Sequence, residues 1–349
     1  MGNKSAGTAP AIRSRDPATE GRRVLDLLRA TSRTFALSIE GLPSPLEDEV
    51  AVAYLLFRVS DYLEDHETLA TSDKVRLLEL WAAVLEGSEQ LHSFVAELEH
   101  VNHRPGDPEA RAALACDTLV TRLRSFDPAV GAAIRERVVA TTRGMAEWQT
   151  RGPTVETEAD LDDYMHHVAG VVGYLVTDLF ALHHESVAER RHRLMPLARE
   201  FGLALQTVNI LRGLRKDFER GWVFVPRTFC RAYGLAPRDL FRRTDQGRAM
   251  HVVSDLIAKA ERHLRAGVEY VRLLPRRLHR LRLACMWPLL FAARTIGVSR
   301  GDPRVLHDEV KISRSTVKQI VGLTHVLGWS NGWLARYADY LLTAPAPAG

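Results

Sequence analysis

Residues 168–182, VAGVVGYLVTDLFAL, limit the possible fold more than any other part of this chain. They carry apolar side chains at nearly every position, so a helix formed here has almost no polar face to turn towards water. Such a helix is stable in water only when other helices surround it. No alternating apolar and polar pattern with hairpin turns recurs along the 349 residues. The sequence therefore predicts an all-α fold, organised as a large helical bundle.

The boundaries of the domain follow from composition. Helical stretches alternate with breaks rich in proline and glycine, such as NHRPGDP, RGPT and SRGDP, and no repeat of fixed period appears. Residues 1–18 are mostly small and polar, which predicts a disordered leader. Residues 343–349, TAPAPAG, are typical of a flexible tail. We therefore expect a single domain over residues 19–342.

Charge and cysteine usage narrow the classes of function. The net charge is only +4, and the basic residues are scattered with little aromatic interleaving, so no nucleic-acid partner is expected. Cys116, Cys230 and Cys285 show no metal-binding spacing, which favours reduced thiols and a cytoplasmic location. The longest uncharged apolar run, residues 283–293, is shorter than the ~20 residues that span a bilayer. We expect no transmembrane segment, and peripheral membrane contact stays open.

A cluster of acids follows one strongly apolar stretch. In RVSDYLED, Asp61 and Asp65 are one helical turn apart on the same face, and Arg58 is a turn before them. Two such carboxylates repel each other unless a cation lies between them, and Mg²⁺ prefers carboxylate oxygens combined with phosphates. The alternative is a solvated acidic end of a helix. The preceding VAVAYLLF favours a position near the interior, and hence a magnesium site.

A second polar sector lies in LQTVNILRGLRKDFERGWVFVP. At about 100° per residue, its members share roughly a quarter turn of one helix. They are Gln206, Asn209, Gly213, Lys216 and Asp217. A glycine inside a helix costs about 1 kcal/mol relative to alanine. An amide, a glycine and a lysine therefore accompany the single aspartate where a metal site would have several acids.

Five segments, taken in order, resemble the squalene/phytoene synthases. They are SRTFALSIEGLP, RVSDYLED, DDYMHHVAGVVGYLVTDLF, LQTVNILRGLRKDFERGWVFVP, and CMWPLLFAARTI followed by VKISRSTVKQIV, so that the resemblance covers about residues 22–325. It implies an isoprenoid-synthase helical bundle around a central apolar cavity. Two aspartate-rich helices would face each other there and bind prenyl diphosphates through Mg²⁺.

The resemblance also implies roles for individual residues. Asp61 and Asp65 correspond to the first aspartate-rich motif and Tyr164 to a catalytic tyrosine, while Asp217 joins the two aspartates as a metal ligand. The implied diphosphate-binding residues are Arg33, Arg58, Gln206, Asn209, Arg212 and Lys216. Segments linked to the branch of the family that uses NADPH supply the possible cofactor-binding residues Ser32, Phe35, Lys311 and Arg314. No glycine-rich dinucleotide motif supports NADPH independently.

The second motif departs from the family pattern. Gly213 replaces its first aspartate, and Lys216 replaces the acid that usually precedes the last one. The expected function is squalene synthase-like, the head-to-head joining of two farnesyl diphosphates through presqualene diphosphate. Either the Lys216 ammonium binds diphosphate in place of one metal ion, or only the Asp61/Asp65 side ionises a diphosphate. The second possibility suits a non-standard prenyltransferase or terpene cyclase. A non-catalytic isoprenoid-binding relative is the third.

Overall fold

The computed structural model describes residues 17–344, and within that range every regular element is a helix. The α-helices, in chain order, are α1 Pro17–Thr31, α2 Arg33–Glu40, α3 Leu46–Asp65, α4 Thr71–Glu86, α5 Leu91–Glu99, α6 Pro108–Leu114, α7 Cys116–Arg124, α8 Pro128–Arg151, α9 Glu158–Met165, α10 Val171–His183, α11 Glu185–Ala188, α12 Arg191–Glu219, α13 Arg227–Ala232, α14 Gln246–Leu273, α15 His279–Ser299, α16 Arg314–Leu327 and α17 Asn331–Thr343. Short 3₁₀ turns lie at Pro237–Phe241, Arg243–Asp245 and Pro303–Leu306. The all-α prediction is confirmed.

The predicted leader and tail fall largely outside the described residues. Helix α1 begins at Pro17, two residues before the expected start of the domain, and α17 ends at Thr343. Residues 1–16 and 345–349 lie outside the described range.

Helix α12 lies at the centre of the bundle. It packs against α10, α14 and α15, while α3 packs against α8, α6 and α1. The apolar residues of α10 are used in two ways. Leu175 and Leu179 are buried and border a central cavity, and Val172 and Val176 are half-buried on the cavity wall. This arrangement explains why residues 168–182 have almost no polar face.

Glycines bring α12 into close contact with α10 and with the helical turn His166–Gly170 that precedes it. A Cβ atom on Gly173 would lie 2.1 Å from the Ala198 carbonyl oxygen, and one on Gly202 would lie 2.3 Å from the Ala169 carbonyl oxygen. Both obstacles are backbone atoms, which cannot move aside as a flexible side chain can. The two helices therefore approach this closely because neither residue carries a side chain.

The start of the helix that carries Tyr164 is fixed by a capping box. Thr157 Oγ1 accepts a hydrogen bond from the Asp160 backbone N–H at 3.2 Å, and Asp160 Oδ2 accepts one from the Thr157 N–H at 2.8 Å. A π-helical turn at His166–Gly170 then joins α9 to α10 without a break. Such turns are frequent at functional sites, and this one begins two residues after Tyr164.

Two helical stretches, residues 158–183 and 279–299, are long and apolar enough to cross a membrane by length and composition alone. In the most apolar window of the second, 83% of the residues are buried inside the protein, compared with 39% in the first. Core helices of soluble proteins meet the same criteria, so these stretches are weak evidence for membrane contact.

The close approach of α10 and α12 generates a stability prediction. We expect Gly173→Ala to lower the free energy of unfolding by about 1–3 kcal/mol, because the added methyl group forces the two backbones apart. Gly322→Ala is the matched control, since Gly322 lies inside exposed α16 with no atom near its missing Cβ. It should be neutral or stabilise by up to about 1 kcal/mol. Denaturant unfolding of both variants measures the difference, and equal midpoints would contradict the packing argument.

Candidate active site

A cavity of about 460 Å³ lies between α2, α3, α10, α12 and α15. Its deep part is apolar, as predicted, and is lined by Phe35, Ile39, Leu42, Val50, Phe57, Val168, Leu179, Phe180, Phe201 and Leu205. Ser38 contributes a buried hydroxyl to this wall, and the hydroxyl has no hydrogen-bond partner among the described residues. All the ionisable acids on the wall come from the C-terminal parts of α3 and α12, which form one end of the cavity.

Helix α3 brings three acids to this end of the cavity, namely Asp61, Glu64 and Asp65. Arg58 Nη1 donates to Asp61 Oδ2 at 2.7 Å, and its Nη2 donates to Glu109 of α6. Burial raises the pKa of Asp61 to about 6, and Arg58 opposes part of that rise. Burial raises the pKa of Glu64 well above its ordinary value, and the neighbouring Asp65 and Asp61 add to that rise.

Helix α12 presents the predicted polar sector to the same cavity, and its members Gln206, Asn209, Gly213, Lys216 and Asp217 all line the wall. Asn209 Nδ2 donates to Gln206 Oε1 at 3.2 Å. The Asp217 carboxylate leans over Gly213, so that a Cβ there would lie 3.1 Å from Asp217 Oδ2. The space left by the missing side chain is partly occupied by the remaining acid.

Arg220 joins the two acidic helices. Its Nη1 lies 2.8 Å from Asp65 Oδ1 of α3, and its Nη2 donates to Asp217 Oδ1 of α12 at 2.5 Å. The two carboxylates raise the pKa of this guanidinium despite its burial. Arg220 is not among the site residues that the sequence predicts. The helical spacing could have indicated it, since Arg220 follows Gly213 and Lys216 at intervals of three and four residues and so lies one turn further along the same face.

Tyr164 lies beside these acids with its ring buried. The ring stacks on Phe224 with centroids 4.4 Å apart, and it meets Trp148 edge-on at 5.5 Å. Burial and the acids around it, Glu64 and Asp65 first among them, raise its pKa well above 10. Tyr164 is therefore a neutral phenol that can donate a hydrogen bond.

A second space of about 440 Å³ adjoins the acidic end of the cavity, and we call it the polar chamber. It shares Glu64, Asp65, Tyr164, Lys216, Arg220 and Phe224 with the cavity, and its further walls are His66, Glu67, Lys74, Gln149, Glu219 and Trp222. Lys74 Nζ donates to the Glu64 backbone carbonyl at 2.6 Å, and burial lowers the pKa of this lysine. Lys74 was not selected from the sequence.

The other predicted binding residues are not on the cavity wall, apart from Phe35 and Arg58. Arg212 pairs with Glu309, which also holds Lys311 Nζ at 2.6 Å. Arg33 is exposed, and Arg314 is exposed at the first position of α16. Ser32 caps α2 by accepting the Phe35 N–H at 3.2 Å. The structure thus groups Arg212 with Lys311, away from the acids of α3.

The donor set suits a hard divalent cation that also binds its substrate. Among residues 17–344, no three His, Cys, Asp or Glu side chains form a ready-made metal cage. Asp65 and Asp217 nevertheless reach one guanidinium from facing helices, and Asp61 is a turn away. Mg²⁺ keeps several waters and takes one or two carboxylates together with substrate phosphates. These residues fit that requirement.

A family model of squalene/phytoene synthase matches residues 28–316. The chain belongs to this family. It is 27% identical to the squalene synthase of Schizosaccharomyces pombe over 305 residues, which cover 86% of this chain and 64% of that protein. Squalene synthase 3 of Panax ginseng is 26% identical over 312 residues, 86% of this chain and 69% of that protein. The chain thus spans about two thirds of the length of these relatives.

Solved structures show the same bundle. The complex of TcSQS with a ligand superposes with a TM-score of 0.77 at 25% identity, covering 92% of this chain and 91% of that one. A dehydrosqualene synthase complex superposes with a TM-score of 0.63 at 21% identity, covering 88% and 96%. The predicted isoprenoid-synthase fold is therefore confirmed, and the family's homologues are prenyltransferases.

The raised pKa of Asp61 predicts how the metal-free protein responds to pH. The folded-state pKa of about 6 exceeds the ordinary value of 3.8, so the native state binds the proton more tightly and stability falls as pH rises between these values. Asp61→Asn removes this penalty. In EDTA at pH 8 the variant should be more stable than the parent by about 1–2 kcal/mol, after allowance for partial exposure of the side chain.

Unfolding measured from pH 4 to pH 8 tests this expectation, and the difference should vanish near pH 4. Asp339→Asn, at an exposed site on α17, is the control and should change nothing. A variant that is less stable than the parent at pH 8 would contradict the assignment of Asp61 as a destabilising buried acid.

Proposed function

We propose that the protein is a magnesium-dependent, squalene synthase-like prenyltransferase that joins two farnesyl diphosphates head to head through presqualene diphosphate. One observation carries the proposal. A deep apolar cavity ends where the acids of α3 and the cations Lys216 and Arg220 face each other. An apolar chain attached to a diphosphate has the same division of polarity, so its tail fits the cavity and its charged end fits the acidic and basic groups.

The apolar wall has a chemical purpose in this proposal. When the allylic C–O bond breaks, its electron pair leaves with the diphosphate and a carbocation remains. Water would capture that cation, so the surrounding surface must exclude it. Phe57, Val176, Phe180 and Leu205 offer no lone pair to the cation. The buried Ser38 hydroxyl is a polar group on this wall that can contact the prenyl chain of the substrate.

The diphosphate would be held by metal and by cationic side chains. Asp61 and Asp65, with Asp217 facing them from α12, would hold Mg²⁺, and family members use a divalent metal for diphosphate substrates. Bound there, Mg²⁺ supplies Lewis-acid neutralisation of the leaving group. Arg58 and Lys216 add charge-assisted hydrogen bonds to phosphate oxygens.

Tyr164 would act as a neutral donor. Its raised pKa keeps the proton on the phenol at neutral pH, so the O–H can donate to a diphosphate oxygen as negative charge builds up there. The stack on Phe224 and the edge contact with Trp148 fix the ring, and hence the position of the hydroxyl. Gln206 and Asn209 line the cavity on the α12 side and are proposed to orient the diphosphate.

The reductive step stays a prediction. Squalene formation needs a hydride from NADPH. The proposed NADPH-binding residues are Ser32, Phe35, Lys311 and Arg314. The proposed diphosphate-binding residues also include Arg33 and Arg212. Of these six, Phe35 lines the cavity. Peripheral membrane contact and a cytoplasmic location also remain proposals.

A second candidate function has one specific observation in its favour. Gly213 leaves α12 with a single carboxylate on the cavity wall, against three on α3. An enzyme that ionises one diphosphate on the α3 side, such as a non-standard prenyltransferase or terpene cyclase, would need no more. A non-catalytic isoprenoid-binding protein would need neither set of acids.

Product analysis tests these functions together. The purified protein is incubated with farnesyl or geranylgeranyl diphosphate and Mg²⁺, with and without NADPH, and both hydrocarbons and released diphosphate are measured. We expect diphosphate release and presqualene diphosphate or squalene from farnesyl diphosphate. Asp61→Asn should lower the rate by at least about 100-fold, as loss of a main electrostatic group does, while Asp339→Asn should not. Release of diphosphate without a joined product would favour the second candidate function. An absence of diphosphate release under all conditions would exclude all of the proposed enzymatic functions.

Gly213→Asp tests how the α12 side holds its charge. The new carboxylate would stand against Asp217 and oppose an anionic substrate, so we expect substrate affinity to fall about tenfold, equivalent to about 1.4 kcal/mol. Gly213→Asn is the matched control, because it adds the same volume without charge and should cost less. Steady-state KM and kcat provide the measurement. A gain in presqualene diphosphate or squalene for Gly213→Asp would instead show that the missing carboxylate limits the reaction.

A further inference from the structure

The polar chamber collects three cationic side chains from different parts of the chain. Lys74 comes from α4, Lys216 from α12, and Arg220 from the turn that follows α12. Arg220 is held in place by Asp65 and Asp217. Three donors of this kind around one polar space are suited to a small ligand with several negatively charged oxygens.

Four acids, Glu64, Asp65, Glu67 and Glu219, line the chamber, and none of the four forms a salt bridge with either lysine. Glu67 pairs with Arg104, and Glu219 lies 2.7 Å from Arg215 Nε. These arginines are not part of the chamber wall. Two of its acids are therefore neutralised by groups outside it.

Neither ammonium group forms a salt bridge with a carboxylate of the described residues, although Asp65 and Glu64 are close enough to favour the charged form of Lys74. Across residues 17–344, neither Lys74 nor Lys216 has a carboxylate oxygen within 4.0 Å. Lys74 donates one hydrogen bond to the Glu64 backbone carbonyl, which leaves other N–H directions unused. Lys216 is exposed to the space it lines. A lysine that lines a cavity without forming a salt bridge can pair with an anionic ligand.

The balance of charge on α12 points to the same ligand. On the cavity side of α12 and the turn after it, Lys216 and Arg220 face the single acid Asp217, so two cations stand against one anion. Asp217 is already engaged by Arg220. Because residue 213 is glycine, no second acid on this side draws a metal ion. The local charge therefore favours an anion directly.

We propose that the polar chamber binds a diphosphate group directly, through Lys74, Lys216 and Arg220, without a metal ion of its own. This inference deepens the proposed function and rests on it for the identity of the ligand. The site would take the diphosphate of a prenyl substrate or the pyrophosphate released from it. The chamber would then add no metal ion to the one proposed at Asp61, Asp65 and Asp217.

Calorimetric titration of the full chain with inorganic pyrophosphate in EDTA tests this inference. The parent protein should bind in the absence of metal. Lys216→Gln and Lys74→Gln should each weaken binding by about tenfold or more, as expected for loss of a hydrogen bond from a charged donor. Lys318→Gln is the matched control, since Lys318 is exposed on α16 and its replacement removes the same charge. Circular dichroism confirms that all three variants are folded.

A second arm identifies the source of the group. Farnesyl thiolodiphosphate, in which sulfur replaces the bridging oxygen and slows ionisation, is titrated under the same conditions. An equal loss of affinity for this analogue assigns the chamber to the diphosphate of the substrate. A loss confined to pyrophosphate assigns it to the released product. Both results support a cationic site.

Two results would overturn the inference. One is an absence of pyrophosphate binding until Mg²⁺ is added, and the other is parent-like affinity in both lysine variants. Neither depends on turnover. Catalysis without metal-free pyrophosphate binding would remove this inference and leave the proposed function standing, and binding without any diphosphate release would do the reverse.

Discussion

The contact on which this site depends is the ion bridge from Arg220 to Asp65 and Asp217. Helices α3 and α12 direct carboxylates at each other across one end of an apolar cavity, and such groups repel unless a cation stands between them. In this structure Arg220 supplies that charge within hydrogen-bonding distance of both acids. Arg58 plays a similar part between Asp61 of α3 and Glu109 of α6. The acids are thereby held in positions where they can bind a metal ion and, through it, a diphosphate.

The cavity itself depends on how closely the helices approach on its other side. Gly173 and Gly202 allow α10 and α12 to touch through their backbones, and both line the cavity wall. One pair of helices therefore carries both the tight packing and the space for a ligand. The apolar side chains of residues 168–182 serve the same two purposes, because some pack between helices and others line the cavity. This is why the segment has almost no polar face.

Much of this could be predicted from sequence because it is local. The spacing of Asp61 and Asp65, and the polar stripe of α12, follow from the geometry of a single helix. Arg220 lies on that stripe one turn further on, so local geometry was sufficient to find it, but its bridge to Asp65 joins residues 155 positions apart and is set by packing. Lys74 reaches the chamber from α4, and no sequence spacing connects it with the other residues of the chamber. Arg212 and Arg33 resemble family positions in sequence, yet neither lines the cavity wall.

The family relationship and the altered second motif fit together if the two sides of the site hold diphosphate differently, with metal beside Asp61 and Asp65, which Asp217 faces, and with the cations Lys216 and Arg220 on the other side. Crystallography with farnesyl thiolodiphosphate and Mn²⁺ tests this asymmetry most directly, because the anomalous signal of manganese locates each metal ion. The account predicts manganese beside Asp61 and Asp65, and phosphate oxygens in direct contact with Lys216. Manganese bound on the Gly213 side of α12, with Lys216 turned to solvent, would contradict it.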